Sequence, residues 1–409
     1  MAGNLTGPAP VWQNNFERTL LKYDLRTVTP MFGGGAVAGE IADPPIRAAL
    51  IRGHLRFWWR ATAGIAFQSA AELHNAEKKL WGDMEHPGTV VVRVNVTNAS
   101  GPIRCGNYTR GAKDRLRLEY VDKNYPPYAL FPFQGSTEKG AVKEEPSFCI
   151  ESVEFEIRIE CLPNDLHAIK NAIAAWVTFG GVGARTRRGC GSVACAGVQV
   201  PAGGPVSSRT LLTGIPVTYY VHEPVANAVS AWESAVNAYR DFRQGVPFAR
   251  NKGQNDNVPG RSLWPEPDSI RRITDTWDTN HNPYTMPERG FPRADLGLPI
   301  IFHFQSKTDP QNDPTLQGRQ AGMTRFASPV ITKALAVQNG RFVPMIAILS
   351  SPRVWENGNL ELKYGVTSES VSREEVEVVG KPMSNLNQSD IREALVAFIS
   401  DKGFKEVKL

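Results

Sequence analysis

The chain has 409 residues, 41% of them hydrophobic, and 46 Lys and Arg against 41 Asp and Glu leave a net charge of +5. That apolar share excludes a disordered chain, and the length suits two domains, because single cores rarely grow past about 250–300 residues. The mild positive charge permits a nucleic-acid partner without requiring one, so the placement of the arginines carries more than their sum.

Five cysteines with no CxxC pair argue against a disulfide framework and for a reducing, cytoplasmic compartment. Cys190 and Cys195 have no second ligand pair beside them, which favours small core residues over a zinc site. The seven histidines are scattered, with no HxH or HExxH spacing. The acids do not cluster as a two-metal centre needs. No metal and no cofactor are expected. The longest apolar runs, such as Val343–Leu349, fall far short of the roughly 20 residues a membrane span needs. The opening residues, Met1 to Pro8, lack the basic and apolar regions of a signal peptide, and residues 1–15 read as a loose tail.

In chain order, Leu20–Thr29 is a β-type run closed by Pro30, and Phe32-Gly33-Gly34-Gly35 opens a loop. A helix follows within 43–66, with Asp43 as a candidate N-cap; Gly53 leaves open whether it starts near Pro45 or near Gly53. Residues 89–97 are rich in β-branched side chains and predict a strand. Residues 101–146 read as irregular. Val153, Phe155, Ile157 and Ile159 alternate with charged residues, which predicts a strand over 152–161 with one wet face. A helix over 164–179, a Gly/Arg loop over 179–191 and a strand near 192–200 complete a β–α–β–β–α–β order, close to the ferredoxin-like arrangement. The best boundary is the Pro/Gly/Ser stretch 201–214, dividing the chain into 16–205 and 206–409. Beyond it come a strand over 216–222, a helix over 223–243, a long loop over 245–299, strands over 298–304, 327–335 and 342–349, and a helix over 390–402 capped by Ser389 or Asp390. No residue-level repeat links the halves.

Three segments carry chemistry. In the helix, Arg52, Arg56 and Arg60 recur at i, i+4, i+8 and form an acid-free row beside His54, Trp58 and Trp59, while Ile51 and Leu55 face elsewhere. Such a row matches the repeating phosphates of a nucleic acid, since each guanidinium can fork onto two oxygens. The loop Gly180–Gly191 adds Arg185, Arg187 and Arg188, with Gly181 and Gly183 giving the backbone freedom to approach a ligand. It lacks Gly-Lys-Ser/Thr and follows a helix, so it is neither a Walker A loop nor a Rossmann fingerprint. The third segment interleaves Arg261, Trp264, Arg271 and Arg293 with prolines, a pattern that could stack on unpaired bases. His54 is the one conceivable general base, and it has no identifiable acid partner.

Thr29-Pro30, Phe32-Gly33-Gly34 and Ile51-Arg52-Gly53 through Leu55-Arg56-Phe57-Trp58-Trp59-Arg60-Ala61 resemble the RAMP subunit that caps the type III-B (Cmr-type) CRISPR effector complex. The Gly/Arg loop, the segment Arg261–Pro267, the stretch Phe291–Pro299 and Arg325–Pro329 are similar to that family as well. The resemblance covers residues 20 to 335. It implies an α+β chain of two ferredoxin-like (RRM-like βαββαβ) RAMP domains with long loop insertions. It also implies crRNA and target RNA as partners, near the 3′ part of the guide, together with the other subunits of the complex. Target cleavage in that family resides in a neighbouring subunit, so no catalytic residue is carried over. Two alternatives stay open: a metal-independent endoribonuclease using His54, and a scaffold whose partners hold the RNA.

Overall fold

The computed structural model of the protein describes residues 17–35, 40–111, 114–196, 215–245, 248, 260–283, 288–319 and 323–408. The N-terminal tail and the 201–214 boundary expected from the sequence lie outside these residues.

In the first half, β1 (Thr19–Thr27), α1 (Ala48–Ala61), α2 (Ala70–Trp81), β2 (Val91–Ala99), β3 (Val153–Cys161), α3 (Leu166–Phe179) and β4 (Val193–Cys195) follow in order. The alternation that predicts β3 has its physical result: Val153, Phe155, Ile157 and Ile159 are all buried. A strand that apolar on one face belongs in the middle of a sheet. It pairs antiparallel with β1, Tyr23 opposite Ile157, and with β2, Val94 opposite Ile157. The sheet order is β4-β1-β3-β2. With its two crossing helices on one face, this is the ferredoxin-like connection. Ser69 caps α2 by accepting from the Glu72 amide, a helix the sequence reading did not anticipate.

The second half repeats the plan with β5 (Val217–Val221), α4 (Ala228–Gln244), α5 (Glu266–Thr274), β6 (Val330–Ala336), β7 (Phe342–Leu349), α6 (Ile391–Asp401) and β8 (Lys405–Glu406). Its sheet order, β6-β7-β5-β8, again puts the first and third strands in the centre. Asn227 caps α4 and Asp390 caps α6, each accepting two backbone N–H bonds. The expected loop over 245–299 contains α5 and a 3-10 turn at Pro292–Leu296. The expected irregular stretch 101–146 contains two small hairpins, Gly106–Arg110 with Leu116–Tyr120 and Ser136–Glu138 with Ala141–Glu144.

The halves share a core. Trp176 and Phe179 of α3 belong to the same buried cluster as Tyr219, Ile331, Leu335 and Val343, and the Phe179 and Tyr219 rings meet edge-on at 5.3 Å. Lys333 on β6 is fully buried at this junction. Its Nζ donates to the carbonyl oxygens of Val177 at 2.5 Å and Gly180 at 2.7 Å, the carboxyl end of α3. A cation is favoured there, because the last helical carbonyls lack partners and carry the negative end of the helix dipole. Burial nonetheless pulls its pKa down to about 7.

Lys333→Ala leaves two buried carbonyls without a donor and should cost about 2–4 kcal/mol in urea unfolding. The pH dependence has a defined sign. The folded pKa lies below that of an unfolded lysine, so between about 7 and roughly 10.4 the unfolded chain holds the extra proton, and stability rises with pH. The stability difference between wild type and Lys333→Met should therefore move in favour of the wild type from pH 7 to pH 10. A difference that stays flat would mean that Lys333 keeps its charge when folded.

Candidate nucleic-acid interface

Helix α1 starts at Ala48, with Arg47 rather than Asp43 at the cap position. Ile51, Leu55, Trp58 and Trp59 are buried against the sheet and α3. Arg52, Arg56 and Arg60 do face outward, but the row is not free of acid. Helix α2 brings Glu77 beneath it, its side chain only 2% exposed. Arg60 Nη2 donates to Glu77 Oε2 at 2.8 Å, and Arg56 Nε donates to Oε1. Burial would raise the Glu77 pKa, and the two guanidiniums hold it below its ordinary value instead. One carboxylate serves two arginines, so a surplus of positive charge remains. Among the described residues no carboxylate pairs with Arg52.

Two neighbours of the row turn inward. Trp59 is buried, tilted against Phe67 with ring centroids 6.1 Å apart, and offers no face to a base. The His54 ring lies nearly parallel to Trp176 at 6.3 Å. Its Nε2 is buried with no hydrogen-bond partner, and burial lowers its pKa to about 4. The expected RNA contacts of Trp59 and His54 are thus corrected, since the α1–α3 packing claims both side chains.

The Gly/Arg loop folds back on the end of β1. Ala184 N–H donates to Phe32 O at 2.7 Å, Gly191 N–H to Pro30 O at 2.8 Å, and Val182 N–H to Gly191 O at 2.8 Å. Gly183 has φ +81, and a Cβ there would sit 2.4 Å from Phe32 O; a Cβ on Gly181 would sit 2.7 Å from Gly191 O. These glycines let the chain approach itself, not a ligand, so the expectation for Gly181 and Gly183 is corrected. Arg188 is buried too. It donates to Val330 O at 2.7 Å, and its own carbonyl accepts from Trp232 Nε1 at 2.5 Å. Arg187, by contrast, lies 5.7 Å above the ring of Phe57 on α1, which is 39% exposed. The loop and the arginine helix therefore meet at the surface, through an aromatic ring that the sequence reading passed over. Arg47 strengthens the junction by donating to Gly34 O at 2.7 Å.

Most of the third predicted segment is internal. Trp264 is 0% exposed and packs edge-on against Phe242 at 5.5 Å. Arg271 is buried between Asp268 and Asp309, with Nε to Asp309 Oδ1 at 2.7 Å. Arg293 pairs with the fully buried Glu266 at 3.1 Å, and Arg261 donates to Asp268 and to Asn282 O. Each charge is met by an acid of α5 or its neighbours, so base stacking by Trp264 and phosphate contact by the buried Arg271 and Arg293 are corrected, while Arg261 keeps 27% of its side chain exposed beside Asp268. Among the described residues, Asp83, Glu85 and His86 could gather around a cation, but all three are exposed and Asp83 already holds Lys78.

Comparison with known proteins places this geometry. The RAMP superfamily matches residues 24–194, which hold all of α1 and the Gly/Arg loop. The CRISPR system Cmr subunit Cmr1-2 of Pyrococcus furiosus is 29% identical over 180 residues, 42% of this chain and 92% of that protein. Cmr1-1 of the same organism is 29% identical over 154 residues, 37% of this chain and 40% of that protein. Among solved structures, Cmr1 from Pyrococcus furiosus in its apo form overlaps 95% of this chain and 98% of its own, with 13% identity and a TM-score of 0.45. A chain of the type III-B Cmr-beta complex bound to cognate target RNA overlaps 94% of this chain and 100% of its own, with 12% identity and a TM-score of 0.44. No described helix is long and apolar enough to cross a membrane.

Within the matched residues 24–194, His54 gives a pH signature. Its folded pKa of about 4 lies below the ordinary 6.5, so the unfolded chain takes up the proton first. Stability is full above pH 6.5 and should fall by on the order of 2–3 kcal/mol as pH drops toward 4. His54→Gln should remove this part of the acid sensitivity in chemical denaturation series. Equal acid sensitivity in both proteins would place the histidine in water.

Proposed function

We propose that this chain is an RNA-binding, non-catalytic subunit of a type III-B (Cmr-type) CRISPR effector ribonucleoprotein. In this reading it works in the cytoplasm in antiviral defence, beside its partner subunits, at the 3′ part of the crRNA and its target RNA duplex. The observation that carries the proposal is the meeting of Arg187 with the exposed Phe57 ring on the helix that also carries Arg52, Arg56 and Arg60. Guanidinium groups and an exposed aromatic face are the two elements that sequence-tolerant RNA contact uses. The similarity to Cmr1 subunits supports the assignment to the complex.

The nuclease alternative needs His54 as a base, and that ring nitrogen is sealed against Trp176. A general base must reach the proton it takes. In the proposed reading, target cleavage belongs to a neighbouring subunit, as the resemblance to the Cmr-type RAMP subunit implies.

Titration of labelled single-stranded RNA at several salt concentrations tests the reading. The logarithm of the affinity should fall linearly with the logarithm of salt, and Arg52→Ala/Arg187→Ala should flatten the slope by about 1.4, at roughly 0.7 per lost contact. Glu77→Gln, which releases Arg56 and Arg60 from their shared carboxylate, should tighten binding at low salt. The RNA should stay intact on a denaturing gel. An unchanged slope in the double variant would rule these arginines out as phosphate contacts. Cut RNA would return the enzyme reading, and absence of binding would favour a scaffold that needs its partners.

A further inference from the structure

Most of the enclosed arginines in this protein are matched to acids. Arg271 has Asp268 and Asp309, Arg293 has Glu266, and Arg353 and Arg392 share Asp295. Arg18 and Arg104 bond singly to backbone carbonyls, but in one place three arginines gather with no acid among the described residues: the exposed Arg185, the half-buried Arg243 and the buried Arg188. Tyr128 lies in the single helical turn Pro127–Leu130, between the Gly/Arg loop and the carboxyl end of α4. Arg243 Nη1 donates to Tyr128 Oη at 3.2 Å. Arg185, in the left-handed region at φ +59, donates to Tyr128 O at 3.2 Å and to Ala129 O at 3.1 Å. Arg188 lies 4.6 Å over the Tyr239 ring, and Arg243 lies 5.9 Å from the same ring, which is itself 6.1 Å from Tyr128.

Every acceptor that Arg185, Arg188 and Arg243 find here is a carbonyl or hydroxyl oxygen. Among the described residues none of the three pairs with a carboxylate. Like charges gathered around two neighbouring tyrosines repel one another, and neutral acceptors offset only part of that cost. Tyr128 registers the field: burial would raise its phenol pKa, yet Arg243, Arg188 and Arg185 pull it below its ordinary value.

The missing partner is an anion, and its class follows from the arrangement. Along α1 the arginines are spaced one turn apart, which suits successive singly charged diesters. Around Tyr128 they gather from three directions instead, Arg185 at its carbonyl, Arg243 at its hydroxyl and Arg188 over the neighbouring Tyr239 ring. A phosphomonoester carries close to two charges near neutral pH and presents three strong acceptor oxygens, and guanidiniums fork onto such oxygens. The geometry points to a seat for one phosphomonoester dianion beside Tyr128, gripped by Arg185 and Arg243 with the charge of Arg188 behind them: the terminal phosphate of an RNA chain. This inference rests on the RNA-binding reading above. The seat is built from both halves of the chain, so it exists only while they are packed together.

The test uses one RNA sequence in three forms, with a 3′-phosphate, with a 5′-phosphate, and with neither, titrated into the full chain at fixed ionic strength. One phosphorylated form should bind about tenfold more tightly than the unphosphorylated form, and which form does so names the end. In Arg243→Gln and in the loop variant Arg185→Gln that ratio should fall to about one, whatever the absolute affinity. Equal binding of all three forms by the wild type overturns the seat and leaves RNA binding standing, and so does a preference that survives both substitutions. Should the wild type bind no RNA at all, the RNA reading fails and inorganic phosphate decides the seat. A rise in Tm over chloride at matched ionic strength, lost in Arg243→Gln, supports it; no rise overturns it.

Discussion

The ammonium of Lys333 at the carboxyl end of α3 is the contact on which the surrounding architecture depends. It comes from the second half of the chain and closes the last turn of a helix in the first. Where that helix stops, the Gly/Arg loop begins, so the same contact fixes the starting point of the loop. Trp232 and Val330, also from the second half, then hold the loop through the backbone and guanidinium of Arg188. Gly189 completes the clamp, because a Cβ there would lie 2.5 Å from the Trp232 ring. An unpaired lysine is costly to bury. Here two carbonyls and a helix end receive it, which turns the cost into a rigid junction.

That junction sorts the arginines. Those of the α5 region are met by buried acids and serve as internal ties. Arg56 and Arg60 share Glu77 and keep part of their charge. Arg187 is carried by the loop onto an aromatic ring of α1, and Arg185 is carried toward Tyr128. A net charge of only +5 thus becomes local fields of quite different strength. Acids placed by tertiary packing decide which arginines remain available.

The legibility of the fold followed the strength of each local signal. The alternation in β3, the β-branched run of β2 and the caps of α6 are local, and the elements appear where these signals point. Helix α2 went unread because its apolar stripe is weak, and with it went Glu77, the acid that breaks the arginine row. The glycines of the loop drew attention for a sound reason, close approach, but the approaching group is Phe32 and Trp232 and not a ligand. Trp264 and its arginines look like a stacking surface in one dimension. Only the positions of Asp268, Asp309 and Glu266 show them to be core. Tyr128 was visible within an aromatic run and Arg243 at a helix end, yet nothing local links residues so far apart.

The sequence by itself determined the α+β class, the main strands of each half with the helices α1, α3, α4 and α6, and the two segments, α1 and the Gly/Arg loop, where positive charge concentrates. Those properties depend on periodicity and on neighbours within a few residues, which a chain carries wherever it goes. The tertiary structure alone decided that both halves share one core, that His54, Trp59, Arg188 and Trp264 face inward, and that Arg185, Arg188 and Arg243 gather around Tyr128 and Tyr239 with no acid among the described residues. Charge compensation and burial are set by groups dozens to hundreds of residues away, and only folding brings those groups within range.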